Sequence, residues 1–144
     1  MAMFALDARL ERDTLPVAES ALSLLRLFND ERYFWVVLIP KVADTAEWFE
    51  LTDAQQKALM DDTLACGRVI GAQPGVSKVN VGALGNVVRQ LHVHVVGRHE
   101  GDPAWPGPVW GHSPAIPMSA PRLSERIQAL KNSALGLRFS FTGI

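Results

Sequence analysis

Short apolar runs separated by polar turns dominate the first third of the chain. Residues 5–14 place two leucines four positions apart, which predicts a short amphipathic helix that ends before Pro16. Residues 21–28 are apolar with partial alternation, and residues 33–39 are aromatic and β-branched up to Pro40. Both patterns are typical of strands. Because only a short polar turn separates these two runs, we expect them to form an antiparallel pair.

The middle and the end of the chain predict two further helices and two further strands. Thr52 forms a capping-box pattern with Gln55, and the apolar residues at helical spacing that follow predict one long helix. Strands are expected at residues 76–81 and 89–98, on either side of a glycine-bearing turn. An apolar stripe over residues 119–135 predicts a C-terminal helix.

A proline-rich segment lies before that last helix. Residues 101–121 hold six of the nine prolines, together with Trp105 and Trp110. This composition excludes a regular helix or strand, so residues 103–121 are predicted to be an ordered or semi-ordered loop. The chain has no internal repeat and no linker. We therefore predict a single α+β domain over residues 1–144, with a mainly antiparallel sheet of about five strands, one long helix and a C-terminal helix.

Composition and charge exclude several classes of function. The 144 residues are 48% hydrophobic, which suits one globular domain, and the net charge of -1 gives no basic surface for duplex nucleic acid. No apolar stretch approaches the ~18 residues that span a bilayer. The N-terminus has no apolar signal region, so we expect a cytoplasmic protein without a membrane or nucleic-acid partner. Cys66, the single cysteine, excludes an internal disulfide and is expected to be a small buried hydrophobe.

The most informative segment is residues 90–96, which read Gln-Leu-His-Val-His-Val-Val. On a strand, Gln90, His92 and His94 would share one face, while three aliphatic residues would share the other. Burial of the aliphatic face would contribute roughly 1.5–3 kcal/mol per side chain. The plain interpretation of the polar face is a pair of histidines satisfied at the surface. A second is a metal site, although no ligand spacing in the proline-rich loop completes one.

The neighbours of this strand favour an anionic ligand instead. Residues 80–86 form a glycine-bearing turn in which Asn80 and Asn86 offer amide donors, and Arg98 follows the histidines. Donors before the strand, imidazoles on it and a guanidinium after it suit a phosphate group. The tryptophans of the loop could cover a flat base, although tryptophans in small proteins more often pack in the core.

At this point the sequence resembles a known family. Gln-Leu-His-Val-His-Val-Val is similar to the histidine triad (HIT) signature His-φ-His-φ-His-φ-φ, with Gln90 in place of the first histidine. Residues 38–41 (Leu-Ile-Pro-Lys), the long helix and Asn80 before a glycine turn also resemble this family. Residues 98–102 resemble the Arg-x-x-Gly-Asp that follows the triad in members that cleave dinucleoside polyphosphates. The resemblance covers roughly residues 20–102.

The resemblance implies an α+β homodimer whose sheets join across the two-fold axis and which binds a nucleotide. It implies that His92 attacks the α-phosphate, that a covalent nucleotidyl-histidine forms, and that water hydrolyses it with no metal or other cofactor required. His94 would support the phosphate, Asn86 would contact it, and Asn29 and Asp30 fall near the ribose-binding acid. The chemistry agrees, because imidazole has a reference pKa of about 6.5 and is available as a neutral nucleophile. An imidazolium or amide donor beside it would stabilise the transferring group.

Two positions depart from the family pattern. Gln90 retains hydrogen-bonding groups but cannot carry a proton, and Val87 stands where many members have a small hydroxyl residue. Three hypotheses therefore stay open. The first is a hydrolase or nucleotidyl transferase acting on dinucleoside polyphosphates or nucleoside phosphoramidates. The second is a nucleotide-binding protein with little turnover, and the third is a metal-binding protein that uses the His-x-His pair.

Overall fold

The structure is a computed structural model and describes residues 2–142, in which six strands form one antiparallel sheet. The strands are β1 (Thr14–Glu19), β2 (Ser23–Phe28), β3 (Trp35–Pro40), β4 (Lys78–Gly82), β5 (Val93–Arg98) and β6 (Ser140–Phe141). Their order across the sheet is β4-β5-β3-β2-β1-β6, so β3 and β5 lie in the interior. The α+β class with a long helix and a C-terminal helix is therefore confirmed.

In the described part of the chain, three α-helices accompany the sheet: α1 (Ala8–Asp13), α2 (Asp53–Gly71) and α3 (Ala120–Lys131). The predicted capping box of α2 is present, because the Thr52 hydroxyl accepts from the Gln55 amide and the Gln55 side chain accepts from the Thr52 N–H. Such a cap stabilises a helix by typically about 1 kcal/mol. Short 3₁₀ turns lie at Trp48–Glu50 and Ala134–Leu137.

The two faces of the sheet carry separate apolar clusters. On one face, α2 and α3 pack against alternate residues of the inner strands, and Cys66 lies in this cluster. Burial raises the pKa of the Cys66 thiol to about 12, which leaves it an unreactive apolar group, as predicted. The other face is covered by Leu10 of α1 and by Ala104 and Val109 of the proline-rich loop. Since β3 is buried along its whole length, its continuous apolar run is explained by contacts on both faces.

Two strands were missing from the sequence-based prediction. β1 contains Pro16, which argues against a strand, but the ladder with β2 shifts register between Pro16 and Ala18. A bulge of this kind accommodates a residue without an N–H. β6 has only two residues and pairs with the end of β1, so its pattern is too short to detect.

The histidine strand begins later than predicted. β5 starts at Val93, so Gln90 and His92 precede it. The pairing with β3 stops because Pro40, which would lie opposite Leu91, has no N–H to donate. The Leu91 amide donates instead to the carbonyl oxygen of Thr45, at 2.9 Å. The prediction of a strand over residues 89–98 is therefore wrong at its start, and Gln90 lies before β5.

No helix within residues 2–142 is long and apolar enough to cross a membrane.

Candidate active site

A cleft lies on the sheet face between the aromatic residues of β2 and β3 and the proline-rich loop. Its cavity has a volume of about 210 Å³, and its walls include Phe28, Asp30, Trp35, His94 and Trp110. Phe28 and Trp35 stack with their ring centroids 4.0 Å apart, which gives the cleft a flat aromatic wall.

His92 is oriented by the backbone of Gln90. Its Nδ1 lies 2.7 Å from the Gln90 carbonyl oxygen. Because a carbonyl oxygen only accepts, Nδ1 must carry the proton, and the lone pair of the neutral ring is on Nε2. Burial lowers the pKa of His92, although the Gln90 carbonyl and the charge of Asp7 oppose that shift. The ring is therefore neutral at physiological pH, with Nε2 free to act as a nucleophile.

His94 has the opposite arrangement. The Trp35 indole Nε1–H donates to its Nδ1 at 2.9 Å. Since an indole nitrogen only donates, Nδ1 must be the acceptor, and the proton of the neutral ring is on Nε2. Burial lowers the pKa of His94 to about 3, with a further contribution from His92. His94 is therefore a neutral donor, and the expectation of an imidazolium here is wrong.

The two rings thus present complementary groups side by side. Their centroids are 4.9 Å apart, and they meet edge to face. One Nε2 has a lone pair and the other has a proton, so the pair can attack a phosphorus atom and hydrogen-bond one of its oxygens at the same time.

Trp35 fixes the proton position of His94, and replacing it tests that role. In Trp35→Phe the aromatic wall remains but the Nδ1 of His94 loses its donor, so the ring also populates the tautomer without an Nε2 proton. Under the hypothesis of a nucleotide hydrolase, kcat should fall about tenfold, in line with the loss of one buried hydrogen bond. Trp105→Phe, which removes an indole outside this contact that lies against the Arg98 guanidinium, is the control. A kcat equal to that of the wild type would show that Trp35 does not set the His94 tautomer.

Of the two residues expected near a ribose, only Asp30 reaches the cleft. Its carboxylate is held by Arg32, with Nη2 2.9 Å from Oδ2 and Nε 3.0 Å from Oδ1. Arg126 of α3 donates to the Asp30 carbonyl oxygen and so anchors this turn. Oδ2 accepts one bond and retains a lone pair for a hydroxyl group. Asn29 faces away from the cavity, because its side-chain oxygen accepts from the Met118 amide.

Arg98 lies outside the cleft, contrary to expectation. Its side chain is 1% exposed and forms a two-point pair with Asp102, at 2.7 and 2.9 Å. Nη1 also donates to the Asn80 side-chain oxygen, and Nη2 donates to the Gly107 carbonyl oxygen. Arg98 and Asn80 therefore hold the proline-rich loop to the sheet, and neither contacts the cavity beside the histidines. The physical reason is that every nitrogen of the guanidinium already has a protein acceptor.

The glycine turn approaches the histidines from the other side. Gly82 pairs with His94, and a side chain at Gly82 would come within 3.1 Å of the Trp110 ring. Gly85 has a φ of +69°, which favours glycine at that position of the turn. Asn86 is exposed in the same turn.

A second cavity, of about 180 Å³, lies on the His92 side of the pair. Gly85, Arg89, His92, Trp48 and Glu47 are among the residues that line it. His92 lines this second cavity and His94 lines the first, so the pair of rings stands between the two.

Gln90 does not face the cleft. Its side-chain amide bonds the backbone of Ala5 and Asp7 instead. Trp35 and Asp7 belong to the surroundings of the histidines but were not identified from the sequence, whereas Trp110 was named only as a loop residue that could cover a flat base. For Trp35 the only signal is its place at the start of an aromatic strand, because the register that brings it to His94 depends on long-range pairing.

The metal-site interpretation gains no further ligands from the structure. Within residues 2–142, no group of three or more His, Cys, Asp or Glu side chains could hold a metal ion.

Comparisons with known proteins agree with this geometry. The HIT domain model matches residues 9–101. A histidine triad protein from Sinorhizobium meliloti 1021 is 46% identical with a TM-score of 0.86, over 88% of this chain and 94% of that one.

Two further crystal structures are similar. A histidine triad protein from Marinobacter aquaeolei VT8 is 41% identical with a TM-score of 0.88, over 90% of this chain and 95% of that one. One from Bradyrhizobium japonicum is 35% identical with a TM-score of 0.87, over 90% and 97%. No curated protein matches the chain. The extent of the family match, the shared fold and the paired histidines lead to one conclusion: the chain belongs to the histidine triad (HIT) family.

Proposed function

We propose that the protein is a nucleotidyl hydrolase or transferase that forms a covalent bond between His92 and the α-phosphate of a nucleotide. The observation that carries this proposal is the opposite hydrogen bonding of the two imidazoles. The Gln90 carbonyl leaves a lone pair on Nε2 of His92, and the Trp35 indole leaves a proton on Nε2 of His94. Gln90 stands at the first position of the triad, with no histidine there.

The reaction has two displacements. The Nε2 lone pair of His92 attacks the α-phosphorus, a P–N bond forms, and the bond from phosphorus to the leaving group breaks with its electron pair on the leaving group. A water molecule then attacks the same phosphorus, the P–N bond breaks, and the water gives up a proton to solvent. The His94 N–H donates to a non-bridging oxygen in both steps. Removal of one such donor typically costs on the order of 3 kcal/mol of transition-state stabilisation.

The nucleoside occupies the aromatic cleft in this proposal, with Asp30 as an acceptor for a ribose hydroxyl. The leaving group lies toward the second cavity, where Arg89 offers a guanidinium that has no ion-pair partner among residues 2–142. Asn86 of the exposed glycine turn donates to the phosphate. No metal or other cofactor takes part.

The protonation states favour dinucleoside polyphosphates over phosphoramidates. His94 has a pKa of about 3, His92 reacts as a base, and Gln90 has no proton to transfer, so these three positions offer no acid at neutral pH. A phosphate leaving group has its last pKa at about 6 and departs as an anion. An amine has a pKa of about 10 and needs a proton to depart. We therefore expect turnover of diadenosine tetraphosphate to exceed that of an adenosine phosphoramidate.

One assay separates this proposal from the two alternatives. The protein is incubated with diadenosine tetraphosphate, with an adenosine phosphoramidate and with no substrate, each with and without a chelator. Turnover that persists in the chelator supports the covalent mechanism, whereas turnover that the chelator abolishes would assign the His-x-His pair to a metal. Tight nucleotide binding without turnover would identify a binding protein.

We also propose a homodimer that forms through the β4 edge of the sheet. β4 pairs with β5 on one side only, and Val81 and Leu84 are 53% and 44% exposed at this edge. An exposed strand edge with apolar side chains favours pairing with a second chain.

A charged substitution at the β4 edge tests whether the dimer forms there. In Val81→Lys, a charged side chain is placed beside the strand that would meet its partner, so the dimer dissociation constant is expected to rise at least about tenfold. Leu137→Lys, at an apolar side chain that is 92% exposed elsewhere, is the matched control. Sedimentation velocity over a range of concentrations measures both. A monomeric wild type would contradict the dimer, and an unchanged Val81→Lys would place the interface elsewhere.

A further inference from the structure

The side chain of Gln90 is committed to the N-terminal segment. Its Oε1 accepts from the Asp7 amide at 2.9 Å, and its Nε2 donates to the Ala5 carbonyl oxygen at 2.8 Å. In an extended chain, the C=O of one residue and the N–H two residues later point to the same side. The primary amide of Gln90 therefore pairs with residues 5–7 as a neighbouring strand would.

The backbone of the same residue orients the nucleophile. The Gln90 carbonyl oxygen accepts from the Nδ1 of His92 at 2.7 Å. Gln90 is thus bonded both to His92 and to the N-terminal segment, and a shift of its backbone would change the direction of the Nε2 lone pair.

Residues 4–9, which we term the N-terminal arm, lie on the His92 side of the molecule. Phe4 and Leu6 pack against the apolar cluster that contains Trp35. Arg9 donates to the Val87 carbonyl oxygen at 3.2 Å, beside the glycine turn. The carboxylate of Asp7 caps α1 and contributes to the electrostatic environment of His92.

We propose that Gln90 is a positioning residue, whose side-chain amide holds the N-terminal arm beside His92 while its carbonyl oxygen orients the attacking ring. This inference rests on the proposed function for the role of His92. It assigns a role to the first position of the triad, where the family pattern has a histidine. The side chain at this position binds the N-terminal arm and transfers no proton.

The geometry explains why glutamine is required. An amide places its donor and its acceptor side by side at one end, facing the same strand. The two nitrogens of an imidazole point in divergent directions, so one ring cannot bond both Ala5 and Asp7. Gln90→His would complete the family signature but release the arm.

The first test is therefore a substitution toward the family pattern. We expect Gln90→His and Gln90→Ala to lower kcat by about tenfold, with KM for diadenosine tetraphosphate changed less, because the attacking ring loses its alignment. Gln90→Glu retains the acceptor for the Asp7 amide and should recover part of the loss. A kcat raised by Gln90→His would overturn the proposal.

A matched pair of substitutions at Asp7 separates the effect of its backbone hydrogen bond to Gln90 from the effect of its carboxylate. Asp7→Ala and Asp7→Pro both remove the charge and the cap of α1, but only proline removes the N–H that Gln90 accepts. Proline fits the backbone here because the φ of Asp7 is -57°. We expect Asp7→Pro to reduce kcat as Gln90→Ala does, with no added loss when the two are combined. Equal kcat values for Asp7→Pro and Asp7→Ala would contradict the proposal.

The pH profile gives a readout that a purely structural role would not change. The ionisable groups around His92 are Asp7 on the arm and His94 on β5, with Glu47 and Arg89 lining the adjoining cavity. Loss of the Asp7 charge alone lowers the pKa of His92, so the acidic limb of kcat/KM moves to lower pH in Asp7→Ala. Release of the arm in Asp7→Pro lets water reach the ring and moves that limb back to higher pH. Coincident profiles of these two variants would count against the proposal.

Hydrogen exchange separates this inference from the proposed function, because it needs no turnover. The Asp7 amide should be protected in the wild type and should exchange at least about tenfold faster in Gln90→Ala. If the amide behaves so but His92→Ala retains full turnover, the arm is held as described and the covalent mechanism is wrong. If the Asp7 amide exchanges equally fast in both proteins, the arm is not held by Gln90.

Discussion

Replacing His92 with alanine is expected to lower kcat for hydrolysis of diadenosine tetraphosphate by at least about 10⁴-fold. The variant has no atom that can bond the α-phosphorus, so the reaction loses its two-step course. Nucleotide binding should change far less, because the aromatic cleft and Asp30 remain. Steady-state kinetics and calorimetric titration with adenosine monophosphate measure the two quantities.

His99→Ala provides the matched control for this loss. His99 is exposed and lines neither cavity beside the histidines, and its Nδ1 lies 3.0 Å from the Glu100 carbonyl oxygen, so turnover should be unchanged. Free imidazole added to His92→Gly should restore part of the activity, since it can enter the vacated position and supply the nucleophile. Residual turnover of His92→Ala within tenfold of the wild type would rule out His92 as the attacking group.

Breaking the pair between Arg98 and Asp102 should have the largest effect on stability. Both side chains are 1% exposed, and Asp102 also accepts the backbone amides of His99 and Trp105. Burial alone raises the pKa of Asp102, but the bonds from Arg98 and from these amides outweigh it and hold the pKa below its usual value. Arg98→Ala leaves this carboxylate buried without its counter-ion, at an expected cost of about 3–5 kcal/mol in the free energy of unfolding.

Urea denaturation at one fixed protein concentration measures this cost, so that any dimer dissociation contributes equally to all variants. Arg12→Ala is the control, because it breaks an ion pair with Asp13 in which the arginine side chain is 70% exposed. Because this pair is exposed to solvent, its loss should leave the free energy of unfolding close to that of the wild type. A loss of less than about 1 kcal/mol for Arg98→Ala would mean that the buried pair does not hold the proline-rich loop to the sheet.

Local patterns in the sequence predicted much of the fold. The capping box at Thr52, the continuous apolar run of β3 and the stripe of α3 all correspond to observed elements because their signals lie within a single segment. β1 was missed because Pro16 weakens a strand pattern, and only the bulge opposite β2 makes it compatible. The start of β5 was misplaced because it depends on Pro40, a residue of another strand.

The candidate site likewise has features that the local sequence predicts and features that depend on long-range contacts. The pairing of His92 with His94 follows from their spacing, whereas their opposite proton positions come from partners that the sequence does not reveal. Those partners are a backbone carbonyl for His92 and the indole of Trp35 for His94. Arg98 was assigned to phosphate because it follows the histidines, but its acceptors come from the proline-rich loop and from β4. The sequence shows where an arginine lies along the chain, but it does not show which oxygen atoms accept its hydrogen bonds in the fold.

The most direct test of the covalent mechanism is to trap the intermediate. Wild-type protein is mixed with diadenosine tetraphosphate, quenched at alkaline pH during turnover and analysed by intact-mass and peptide mass spectrometry. We predict a mass increase of one adenylyl group on the peptide that contains residues 90–98, located at His92 and absent from His92→Ala. Turnover at the normal rate without any adenylylated protein, or with the group on another residue, would contradict the assignment of His92 as the nucleophile.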